Sequence, residues 1–175
     1  MDLSTPIEQL PRVGPQYQKK LKKLGIKTIR DILFHFPHRY EDFSNLVLIS
    51  EVKLGNIVCI QGKILEIKNT RTWKKRMILT QAIIVDNSGA IKVVWFNQPY
   101  LINVLKKGDF ACLAGKVELG EDGIYLSGPD YEKIVGQSTT ENDLTHTRRL
   151  VPDYLETEGI SSRWLRFILK LAYME

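Results

Sequence analysis

The 175 residues contain only two cysteines, Cys59 and Cys112, too few for a disulfide framework or a thiolate zinc site. Histidine is scarcer than most polar residues, with three copies. His35 and His38 lie three apart, but Pro37 stands between them and no cysteine or carboxylate pair completes a ligand set. Solvent-facing histidines at a helix end are the simpler reading. No apolar run approaches the roughly 18 residues of a membrane span. The opening MDLSTPIEQLPR has neither the basic start nor the apolar stretch of a signal peptide. A phosphate loop is also missing. Its nearest approach runs from Gly108 to Gly115-Lys116, where the spacing is too long and Val117 stands in place of the magnesium-binding hydroxyl. Acidic residues such as Glu121 and Asp122 fall in a turn, where solvation explains them, and no nucleophile–base pair is recommended by position. These absences predict a soluble chain of a reducing, cytoplasmic compartment, with no metal, no cofactor and no catalysis of its own.

What is present is globular: 43% hydrophobic and 26% charged residues, over a length that suits one domain or two small ones. Lys plus Arg is 25 and Asp plus Glu is 20, a net charge of +5 that permits a polyanionic partner without demonstrating one. The charge is uneven. Between Arg12 and Arg30 stand Lys19, Lys20, Lys22, Lys23 and Lys27, and no acidic residue. Phosphate contact, with Lys19 and Lys23 as candidates, and a plain solvated helix face both account for this run.

The expected organisation is a helical lead-in over 1–50, a barrel over 51–135, a linker over 136–150 and a terminal helix within 151–175. In the first zone Tyr17, Leu21 and Leu24 repeat at helical spacing, and Gly25 supplies a stop. Thr28 and Asp31 open a second helix as a capping box, with Ile29, Ile32, Leu33 and Phe36 as its apolar face and Pro37 as its end. Leu10-Pro11-Arg12-Val13-Gly14-Pro15 before the first helix resembles a helix-hairpin-helix element, with Arg12 where a glycine is usual. A purely structural hairpin fits the same residues.

From about 57 the period shortens to two. Strands are expected near 57–68, 77–86, 90–96, 109–118 and 124–128, with a turn at Asn87-Ser88-Gly89, a helix over 98–107 and Pro129 as the last stop. The order β-β-β-α-β-β predicts a mainly β chain built on a five-stranded OB-fold, a Greek-key barrel, with helical extensions. Cys59 and Cys112 then lie on the first and fourth strands as small buried fillers. QSTTENDLTHT at 137–147 reads as linker, and Leu165, Ile168, Leu169 and Ala172 form one stripe of a strongly apolar last helix.

Two places suggest nucleic acid. In the loop expected at 69–76, Arg71, Lys74, Lys75 and Arg76 surround Trp73. Cations holding a backbone while an aromatic ring stacks on a base is one reading; a tryptophan folded back on the barrel rim is the other. Phe96 points opposite Trp95 at the end of the third strand, and a tight turn after it would bring Phe96 and Tyr100 to one end of the barrel. Core packing is the default for either ring alone; the two together at a strand end suggest a stacking platform.

Several phrases resemble the start of RecG-type branch-migrating DNA helicases. They are Leu24-Gly25-Ile26-Lys27-Thr28, Asp31 to Pro37, Arg39-Tyr40-Glu41-Asp42, Val85 to Gly89, Trp95-Phe96-Asn97 with Tyr100-Leu101, Gly115-Lys116-Val117 and Val151-Pro152 with Tyr154. The resemblance implies a bacterial, nucleoid-associated wedge domain that meets a stalled replication fork or Holliday junction in recombination and repair. Phe96 and Tyr100 would cap the last base pairs at the branch. ATP and magnesium would belong to a separate motor that this chain lacks, and a monomer is expected. His38 departs from a commonly basic position, and Asp153 and Leu155 interrupt a usually proline-rich stretch. A general single-strand or tRNA-binding OB module and a protein-interaction domain are the alternatives.

Overall fold

A computed structural model of the chain describes residues 2–72, 77–134 and 147–174. Trp73, Lys74, Lys75 and Arg76, and the expected linker up to residue 146, lie outside the described residues. The chain divides into two units: Asp42–Leu150, and the segments before and after it, up to Glu41 and from Val151.

In the first of these, β2 (Ile57–Arg71), β3 (Ile78–Val85), β4 (Ala90–Phe96), β5 (Phe110–Gly120) and β6 (Gly123–Ile134) close a barrel in the order β2-β3-β4-β6-β5. Here β4 and β6 run parallel and the other described pairs antiparallel. This is the OB-fold. One long strand serves both sides of the closure because β2 changes partner midway. Residues 57–63 pair with β5 and 63–71 with β3, across a bulge between Ile64 and Glu66. Gly62 stands at that corner, where a Cβ would come within 2.5 Å of the Val85 carbonyl oxygen. No larger residue fits without moving backbone.

The interior is apolar and fully closed. Val58, Ile60, Ile64, Ile84, Val93 and Leu113 face inward around Trp95. The Trp95 Nε1–H donates to the Pro129 carbonyl at 2.8 Å, and its ring meets Tyr131 edge-on at 6.4 Å, so its one polar atom is satisfied where water cannot reach.

Three expectations need correction here. First, β6 does not stop before Pro129 but continues to Ile134. The proline falls in a bulge, where Gly128 and Pro129 together oppose Gly115; Gly128 takes a left-handed φ of 51°, and the ladder needs no N–H from Pro129. Second, the helix expected over 98–107 shrinks to α3 (Leu101–Val104), because Asn97 to Tyr100 form a turn of their own. Third, the first barrel strand extends through Arg71 into residues expected as loop.

In the other unit, α1 (Pro15–Lys23) and α2 (Ile29–Leu33) share an apolar core with α4 (Ser162–Met174). Leu21, Ile29 and Ile32 pack with Ile160, Leu165 and Ile168, and Tyr17 stacks on Trp164 at 4.4 Å. The terminal helix thus completes the core of the N-terminal helices. The capping box is formed: Asp31 N–H donates to Thr28 Oγ1, and the Thr28 N–H donates back to Asp31 Oδ2. α2 nevertheless ends at Leu33, four residues before Pro37, so Phe36 leaves the helical face and is 74% exposed. A two-stranded ribbon of β1 (Arg39–Asp42) and β7 (Leu150–Asp153), which the residue pattern did not announce, follows. No described helix is long and apolar enough to cross a membrane.

Candidate nucleic-acid interface

The barrel carries the first candidate surface at the end of β4. Alternation buries Trp95 and turns Phe96 outward, 39% exposed. The chain then reverses at Asn97, whose φ of 55° lies in the left-handed region that asparagine tolerates better than most residues. Its N–H donates to the Ile78 carbonyl at 2.8 Å, which ties the turn to β3. Tyr100, half exposed, donates its hydroxyl to Gln98 Oε1 at 2.9 Å.

The turn is clamped from a second direction. Asn69, on the far half of β2, donates from Nδ2 to the Pro99 carbonyl at 3.0 Å. The fully buried Thr80 hydroxyl shares its proton between Asn69 Oδ1 at 2.7 Å and the Gln98 carbonyl at 2.8 Å. Each buried polar atom in this set therefore has a partner, and the backbone bearing both rings is fixed at three points. Exposed aromatic rings on a fixed backbone can receive a flat, unpaired base with little ordering cost.

Residue-by-residue reading of the chain missed Asn69, Thr80 and Asn97. Only Thr80 left a signal, a hydroxyl at an inward-facing position of an otherwise apolar strand. Arg71 is exposed at the end of β2, paired in register with Ile78. Of the other candidates in that loop, Trp73, Lys74, Lys75 and Arg76 fall outside the described residues.

The helical unit carries the second candidate surface. Lys19, Lys22 and Lys23 are exposed on α1, with Arg12, Lys27 and Arg30 exposed beside them in sequence. Among the described residues no ion pair involves any of the six. Arg12 takes a left-handed φ of 71°, the conformation expected where a hairpin of this type usually has glycine. Arg30 sits over the Phe34 ring at 5.7 Å, and Phe34 and Phe36 meet edge-on, both exposed.

Of His35 and His38, His38 is exposed as expected and His35 is not. His35 is half buried and stacks on Tyr154 at 5.8 Å, and its Nε2 is buried without a hydrogen-bond partner. Burial holds its pKa below the ordinary histidine value. His38 Nε2 lies 3.7 Å from Asp153 Oδ2, which also receives Arg39 Nε at 2.8 Å. Two of the three departures from the family pattern, His38 and Asp153, thus face each other. Among the described residues no three His, Cys, Asp or Glu side chains gather as a metal site.

An OB-fold barrel with an aromatic tip, joined in one chain to a basic helical hairpin, defines the class. The chain belongs to the RecG wedge domain family, whose description matches residues 6–173. It is 38% identical over 173 residues to the ATP-dependent DNA helicase RecG of Thermotoga maritima, covering 97% of this chain and 21% of that protein. Against RecG of Escherichia coli K12 the identity is 32%, over 93% of this chain and 23% of the relative. A solved structure of RecG bound to a three-way DNA junction aligns with a TM-score of 0.74 and 33% identity, over 97% of this chain and 22% of that one. The chain therefore spans between a fifth and a quarter of the length of these relatives.

Proposed function

We propose that this chain binds branched DNA, a stalled fork or Holliday junction, as the strand-separating wedge of a RecG-like helicase acting in recombination and repair. The observation that supports this most is the pairing of two exposed rings, Phe96 and Tyr100, with a turn held by Asn69, Thr80 and Ile78. A rigid aromatic tip can stack where base pairs end and block their re-pairing, which a continuous duplex does not allow. Arg71, and Lys74, Lys75 and Arg76 with Trp73 as a further ring, would hold the strands beside the tip. Lys19 and Lys23 would meet duplex phosphates. The family resemblance extends the same reading to the solved relative that holds a three-way junction.

On this reading the chain needs no cofactor of its own; ATP and magnesium belong to a motor acting elsewhere. It works as a monomer on nucleoid DNA. Gel shifts of the chain against fork, Holliday junction, duplex and single strand test the proposal. Replacing Phe96 and Tyr100 together by alanine should weaken fork binding by about 1–3 kcal/mol per lost base stack and leave duplex binding nearly unchanged. Equal losses on fork and duplex would remove the wedge assignment. Tighter binding to plain single strand than to fork would favour a general single-strand module instead.

A further inference from the structure

Cys59 and Cys112 are the chain's only thiols, and the DNA-binding reading makes no use of them. In the ladder between β2 and β5, Cys59 stands opposite Ala114 and Cys112 opposite Gln61, so both side chains leave the same face two positions apart. Their Sγ atoms are 3.1 Å apart and both residues are fully buried. They lie apart from the apolar cluster that fills the barrel. Their surroundings are polar instead. The Arg148 backbone N–H donates to Cys59, and Thr147, fully buried, lies beside Cys112 with its hydroxyl directed to Glu132 Oε2 at 2.7 Å.

The two thiols are not equivalent. A hydrogen bond from Cys59 holds the Cys112 pKa below the usual thiol value, with help from the Arg148 guanidinium. Sharing that proton and burial push Cys59 the other way. The direction of the two shifts favours Cys112 over Cys59 as the attacking sulfur.

We infer that Cys59 and Cys112 form a modification site, a reversible intramolecular disulfide made by hydrogen peroxide that fastens β2 to β5. The Cys112 thiolate attacks one peroxide oxygen and the O–O bond breaks. The departing hydroxide takes a proton from solvent to become water, and Cys112 is left as a sulfenic acid. The Cys59 sulfur then attacks the Cys112 sulfur. The S–O bond breaks, water leaves with the Cys59 proton, and the S–S bond remains. The two sulfurs give up two electrons, which the two peroxide oxygens accept. Closing from 3.1 Å to a bond of about 2.05 Å brings the two sulfurs together by about an ångström. A dithiol reductant reverses the change by exchange.

The test needs only the full chain and does not depend on DNA binding. The reduced protein is treated with hydrogen peroxide, denatured, alkylated with iodoacetamide and read by intact mass and peptide mapping. The expected product is monomeric, has lost two hydrogens, accepts no alkyl group, joins the Cys59 and Cys112 peptides, and returns to two alkylatable thiols after dithiothreitol. With dimedone present, Cys59→Ser should trap a sulfenic acid at Cys112, whereas Cys112→Ser should trap none at Cys59. Thiols that stay alkylatable, separate overoxidation of each cysteine, or an intermolecular dimer would overturn the inference. Trapping at Cys59 but not at Cys112 would overturn the assigned roles.

Discussion

The barrel tip and the basic helix present opposite kinds of surface. At the tip, Phe96 and Tyr100 are uncharged, and hydrogen bonds from three directions fix the backbone beneath them. On α1, Lys19, Lys22 and Lys23 are charged heads on flexible stems, with no described carboxylate pairing with them. The first arrangement can discriminate an unpaired base from a stacked one; the second attracts any phosphate chain. Phosphate contacts supply affinity and base contacts supply selectivity. The proposed wedge would use both, and the two surfaces stand on separate units of one chain.

Removing the scaffold of the tip has the largest expected effect. Trp95→Ala should cost about 3–5 kcal/mol by emptying the barrel centre and stranding the Pro129 carbonyl, read as a lower denaturant midpoint. Next in size is the loss of the helix cations. Changing Lys19, Lys22 and Lys23 together to alanine should lower affinity for fork and duplex alike. It should also reduce the slope of log affinity against log salt by about 0.9 for each phosphate that is no longer neutralised. A loss confined to forks would mean that these lysines read the branch.

Asn69→Ala sharpens the contrast from the other side. It removes the bond to Pro99 and one of the two acceptors of Thr80, leaving the Gln98 carbonyl, so fork binding should fall by about 1 kcal/mol while duplex binding and salt slope stay put. The smallest effect concerns the helical unit's stability. Burial depresses the His35 pKa in the folded state, so the unfolded chain holds the proton more tightly. The contribution is therefore full above the ordinary histidine pKa near 6.5 and fades as pH falls through that value toward the folded one. His35→Phe should flatten the fall in stability as pH drops through about 6.5.

Much of the fold was legible because its signals are local. Alternating β-branched residues marked all five barrel strands, Asn87-Ser88-Gly89 marked a hairpin, and Thr28 with Asp31 marked a helix start that the side chains form. Errors arose where a distant partner overrides a local rule. Pro129 looked like a terminator, but it sits with Gly128 in a bulge that lets β6 continue, and Gly115 opposite leaves it room. Phe36 continued a helical spacing after the helix had ended, because nothing in the period alone reports where the last turn closes. Of the interface, the two rings were visible and their support was not. Asn69 and Pro99 are joined only by the register of β2, β3 and β4, as Cys59 and Cys112 are only by that of β2 and β5.

The most direct measurement places aminopurine, whose fluorescence falls when it stacks, at the branch point of a fork and, separately, within a continuous duplex. Wild-type chain should quench the branch-point probe and leave the duplex probe unchanged; the Phe96→Ala, Tyr100→Ala variant should bind at low salt without that quenching. Undiminished quenching by the variant would contradict the claim that these rings meet the branch.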